Sequence, residues 1–117
     1  MADKKQDEID LPSRDKVISW NIDQLYNWLV NFLQANGFSH EIATQEAKKI
    51  KDQYVDGMAF LDLTEGKLIA PPYRILFGPA ITIAEVIDKI NGLFSFSYFF
   101  LFVSLLYGPI LVLFFLL

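Results

Sequence analysis

The chain has 117 residues, 53% of them hydrophobic, with 10 Lys and Arg against 14 Asp and Glu, for a net charge of −4. It contains no cysteine and a single histidine, which excludes a disulfide framework, a thiolate nucleophile and zinc sites built on Cys or on several His. A mildly acidic chain has no general attraction for phosphate backbones, so nucleic-acid binding is not expected.

Residues 1–18 mix acidic and basic side chains with Pro12 and Ser13, and read as a flexible charged lead. Met1 to Asp10 has no apolar core segment, which argues against a secretory signal. From Trp20 the pattern changes. Ile22, Leu25, Tyr26, Leu29, Phe32 and Leu33 fall at helical spacing and predict an amphipathic helix. Asn21 is placed to cap it with Gln24 at the third position, Trp20 and Leu25 to staple its start, and Asn36-Gly37 to end it.

Ser39 predicts the cap of a second helix, with Glu41 matched to the dipole in its first turn. Ala43, Ala47, Ile50 and Tyr54 give this helix a buried side. Lys48, Lys49 and Lys51 read as its solvated face and His40 as a first-turn surface residue. Asp56-Gly57 is a turn signal, Met58–Leu61 suffices for one helical turn, and Thr64 caps a short helix over Glu65–Ile69 that Pro71-Pro72 stops. Gly78-Pro79 opens the last polar helix with Pro79 at the first position. Ile83, Val86, Ile87 and Ile90 form its stripe and Asn91-Gly92 its end. No strand alternation stands out.

Certain of these residues match a family pattern. Trp20, Leu25, Trp28 and Leu29 stand at the spacing that opens a sterile alpha motif domain, a protein-interaction fold. Its centre is matched by Val55-Asp56-Gly57, then Phe60-Leu61, then Leu63-Thr64-Glu65 and Leu68. Gly78-Pro79-Ala80 before an aliphatic stripe is similar to the start of the family's long last helix. The resemblance covers about residues 19–92. The segment from Trp28 to Val55 is longer than the family's, and Ile69-Ala70-Pro71-Pro72-Tyr73 replaces its Leu-Gly-Ile. The resemblance implies an all-α fold, a five-helix bundle, and two interaction surfaces. The acidic middle would comprise Asp52, Asp56, Asp62 and Glu65. The start of the last helix would comprise Gly78, Pro79, Ala80, Ile81 and Thr82. No Lys or Arg lies between Gly78 and Ile87, so head-to-tail self-assembly is less favoured than binding to a basic protein partner. Asp56 and Glu65 also have purely structural reasons, in a turn and a helix start, to be where they are.

Nothing in the chain points to catalysis, a metal site or a cofactor. Gly78-Pro79-Ala80 lacks a phosphate-loop pattern, and Asp62 and Glu65, three apart, are an ordinary surface spacing. The expectation is therefore a non-enzymatic interaction domain.

Residues 93–117 contain no charged side chain. As a helix they would reach about 37 Å, enough to cross a bilayer core of about 30 Å. Leu93 to Leu117 is accordingly expected to be a C-terminal hydrophobic helix that anchors the domain in a lipid bilayer by a single pass. Arg74 and Lys89 on its N-terminal side favour a cytosolic domain. Two other readings of the chain stand beside this one. The tail, with Ser97, Ser104 and Gly108 as small contact residues, would pack among other membrane helices in a structural subunit. Alternatively it would be translated non-coding sequence after a soluble adaptor. A soluble core helix would need a larger protein around it.

Overall fold

The computed structural model describes residues 11–92 together with Leu105 and Gly108. These residues form six helices and no strand: α1 (Arg14–Ile18), α2 (Ile22–Ala35), α3 (His40–Lys51), α4 (Gly57–Phe60), α5 (Glu65–Ile69) and α6 (Phe77–Asn91). The all-α expectation holds. Residues 14–18 correct the reading of a lead that is flexible throughout, and add α1 to the five predicted helices. Ser13 caps α1 by accepting from the Lys16 amide, and Val17, fully buried, carries the helix into the core. Two adjacent apolar residues, Val17 and Ile18, in a five-residue helix leave no periodicity to detect.

Each start signal corresponds to a specific bond. The Asn21 side chain accepts from the Gln24 amide at 2.8 Å, and the Gln24 side chain accepts from the Asn21 amide at 2.9 Å, a complete capping box. Ser39 and Thr64 cap α3 and α5 by the side-chain half alone, accepting from the Ile42 and Lys67 amides. Asn21→Ala removes the side-chain half of the box and is expected to cost about 1 kcal/mol, read as a lower midpoint in chemical denaturation.

The helices pack in pairs, α2 on α3, α5 on α6 and α1 on α4. Every helix contributes to one core: Val17, Leu25, Leu29, Leu33, Ala47, Ile50, Phe60, Leu68, Ile83 and Ile87 are all essentially inaccessible. Trp28 organises its rim. Its ring lies 5.4 Å from Trp20, 5.0 Å from a stacked Phe32, and 6.1 Å edge-on from Phe60, separations at which aromatic pairs attract.

Three local expectations change. The sequence pattern puts Tyr54 on the buried side of the second helix, but α3 stops at Lys51, and Tyr54 is 83% exposed with φ +57°. Val55 takes its place in the core. Asp56-Gly57 is a helix start rather than a bare turn, because the Asp56 side chain accepts from the Ala59 amide at 2.9 Å. The last helix begins at Phe77, so Pro79 is its third residue. It fits there because the first amides of a helix have no intrahelical acceptor to lose.

The connection from α5 to α6 has a cis Pro71-Pro72 bond and Arg74 at φ +51°. Ile75 plugs it into the core, and its amide donates to the Leu68 carbonyl at 2.8 Å. At the other end of α6, Gly92 caps the helix with φ +78°. No helix among the described residues is long and apolar enough to cross a membrane. The anticipated span over Leu93–Leu117 lies outside them except at Leu105 and Gly108.

Candidate interaction surfaces

The four acids of the expected middle surface are all exposed, and the fold distributes them over separate places. Asp52, at the end of α3, is held by Lys48 at 3.0 Å, one turn away. Asp56 caps α4 and lines a groove with Asn21, Ile22, Asp23 and Tyr54. Asp62 lies in a hollow between the α4–α5 corner and the end of α6, lined also by Arg14, Asp88 and Asn91. Glu65 lies in an adjoining hollow with Ile81, Ala84, Glu85 and Asp88. Thr64 and Asp88 line both hollows, so Asp62, Glu65, Glu85 and Asp88 follow one trough along α5 and α6. None of these four carboxylates makes an ion pair with another described residue.

Glu85 and Asp88 are absent from the surface inferred from the sequence. They occupy the solvent side of α6, opposite its Ile83, Val86, Ile87 and Ile90 stripe, and a helical projection of that stripe would have indicated them. Asn91 closes the trough. Its side chain accepts from Arg14 Nε at 3.2 Å and donates to the Leu61 carbonyl at 3.0 Å. One amide thereby ties α1 and the α4–α5 corner to the end of α6.

The second surface is also rearranged. Pro79 and Ala80 are buried, Ile81 and Thr82 are half-buried, and Gly78 is exposed. The exposed apolar groups at this end are Leu76 and Phe77, just before the predicted residues. Their position depends on Glu46, which nothing in the sequence singles out beyond its place between Ala43 and Ala47. Glu46 is fully buried. Its carboxylate accepts from the Leu76 amide at 2.7 Å, from Gln45 Nε2 at 2.9 Å and from Lys49 Nζ at 2.9 Å. Lys49 Nζ also donates to the Arg74 carbonyl at 3.1 Å. Burial by itself raises the Glu46 pKa. The Leu76 hydrogen bond and the Lys49 and Gln45 contacts outweigh it, and the carboxyl is held below its usual range.

Lys49 therefore belongs to an internal cluster and not to a solvated face. Lys51 is likewise engaged, 3.3 Å from Asp23 and 4.8 Å from the centre of the Tyr26 ring. His40 lies on the surface as expected, 3.3 Å from the Gln34 side chain. No group of three or more His, Asp or Glu among the described residues could hold a metal ion.

The SAM-like domain family matches the chain over residues 2–89, three quarters of its length and nearly all of the helical bundle. The chain belongs to this family. SAM-like domains are in general protein-interaction modules without catalytic activity. Comparison with curated proteins and with solved structures gives no match. In this SAM-like domain the match begins ahead of α1, consistent with α1 being part of the packed unit.

Proposed function

We propose that the chain is a non-enzymatic adaptor: a SAM-like domain that binds basic protein partners and is held at the cytosolic face of a membrane by residues 93–117. The observation that carries the interaction half is the trough along α5 and α6. Four carboxylates line it against one lining cation, Arg14, and none of the four is within ion-pair distance of a described cation. Such a surface attracts and orients a cationic partner and repels acidic ones. The uncharged run 93–117 supports the anchor. Confining the domain to a surface raises its effective concentration toward partners there, so weak contacts suffice for recruitment.

The test is fractionation of the tagged full chain beside a version ending at Gly92, with alkaline-carbonate extraction of the membranes. The full chain is expected to stay in the extracted pellet and the shortened one in the supernatant. A full chain found in the supernatant removes the anchor. Proteins co-isolated with the full chain are expected to be lost on Asp62→Lys together with Asp88→Lys. An unchanged set removes the trough as the binding surface.

A further inference from the structure

We propose that Tyr54 anchors a binding site for an arginine side chain of a partner protein, with the guanidinium lying on the phenol ring beside Asp56 and Asp23. The proposal rests on reading the acidic surface as partner-binding, and assigns the recognition chemistry to one aromatic residue. Tyr54 follows Ile50 by four residues, so a continued α3 would have buried it. The helix stops instead, and a bulky side chain is held in the left-handed region at φ +57°, a conformation disfavoured for residues with a Cβ. The result is the most exposed large hydrophobic side chain of the helical domain, at 83%.

The groove beneath this ring selects the occupant. Asn21, Ile22, Asp23 and Asp56 line it with Tyr54. Its charged members are both carboxylates; Asp23 is already paired with Lys51, which also lies over the Tyr26 ring, and Asp56 makes no ion pair with a described residue. A positive group therefore fits, and an aromatic face next to carboxylates is a place where cations bind. The chain already contains one such arrangement: Lys51 lies over Tyr26 while touching Asp23. At Tyr54 the corresponding cation is missing from the described residues and would come from outside. Arginine suits it better than lysine, because a planar, weakly hydrated guanidinium stacks on a ring while its edge donates to a carboxylate.

The experiment titrates the isotopically labelled full chain, in non-ionic detergent, with the capped peptide acetyl-Gly-Leu-Arg-Leu-Gly-amide and with its lysine and citrulline counterparts. The amide signals of residues 21–23 and 53–57 are expected to move with the arginine peptide, less with lysine and least with neutral citrulline. Tyr54→Phe keeps the ring and should bind as the parent does. Tyr54→Asn is expected to weaken binding about threefold to fivefold, the size of an exposed cation–π contact. Its melting temperature should stay level or rise, because Asn tolerates the left-handed conformation. That combination separates recognition from a structural role. Equal binding by Tyr54→Asn overturns the proposal. So does an arginine peptide that shifts nothing at about 10 mM, well above the millimolar range of a weak contact. Shifts confined to Glu65, Glu85 and Asp88 also overturn the role of Tyr54, while leaving the acidic trough as a partner surface.

Discussion

Gly57→Ala is expected to dislodge α1 and to lower the melting temperature of the domain by more than 10 °C, on the scale of about 4–8 °C per kcal/mol for a domain of this size. A Cβ placed on Gly57 would lie 1.7 Å from the Val17 carbonyl oxygen, 2.8 Å from the Val17 carbonyl carbon and 3.2 Å from the Trp20 Cβ. The first two are backbone atoms and cannot swing aside. The Gly57 amide also donates to the Trp20 carbonyl at 3.1 Å, so the approach is bonded as well as tight. The backbone of Gly57 is not in the left-handed region. Alanine would suit the helical conformation itself, by up to about 1 kcal/mol. Sterics and propensity therefore oppose each other, and the overlap is too deep for propensity to win. The cheapest relief is for α1 to move away. That withdraws Val17 from the core, worth about 1.5–3 kcal/mol, and disturbs the Trp20–Trp28 contact, worth about 0.5–1.5 kcal/mol. Hydrogen exchange should localise the loss, with α1 amides unprotected while α2 and α3 stay protected. Gly66→Ala is the control, since nothing lies within 4 Å of a Cβ there. A Gly57→Ala protein that melts with the parent would mean that α1 does not dock against α4.

The reason for Gly57 shows where the sequence is readable and where it is not. The local pattern marks Asp56-Gly57 as special, but attributes this to a turn. The actual cause is a helix forty residues earlier in the chain, too short to show an apolar stripe, whose one fully buried residue is Val17. The long stripes of α2 and α6 are legible because each buries a row of residues against the rest of the bundle, and the caps Asn21, Ser39 and Thr64 because each bond closes within three residues. Tyr54 continues the α3 stripe on paper. Its exposure follows from α3 ending at Lys51, and neither Asp52 nor Gln53 signals a stop. The acidic surface is legible in composition but not in grouping. Asp62 and Glu65 meet Glu85 and Asp88 only because α5 packs on α6.

Glu46 was the least visible of these residues and carries the second large expectation. Glu46→Ala should destabilise the domain by about 2–3 kcal/mol, less than breaking a fully buried pair because the Lys49 side chain is 30% exposed and keeps access to water. The Leu76 amide and Lys49 would lose their acceptor, and a fully buried side-chain volume would be emptied. Glu46→Gln should cost less, because one amide oxygen can still receive the Leu76 amide while the charge facing Lys49 is gone. The pH dependence separates charge from shape. A carboxyl whose pKa is lowered by folding stabilises the native state above its unfolded pKa, and that contribution is lost as pH falls through the folded value. The stability gap between the parent and Glu46→Gln should therefore be full at neutral pH and narrow once the solution passes below the usual carboxylate range. A gap that stays constant through that range would mean that Glu46 acts by packing and hydrogen bonding alone. Either variant should first loosen residues 74–77, since Glu46 holds the Leu76 amide and Lys49 the Arg74 carbonyl. Leu76 and Phe77 are the exposed apolar groups at that end of the domain. A buried carboxylate on α3 thus sets how the start of α6 is presented, although no partner could touch it directly.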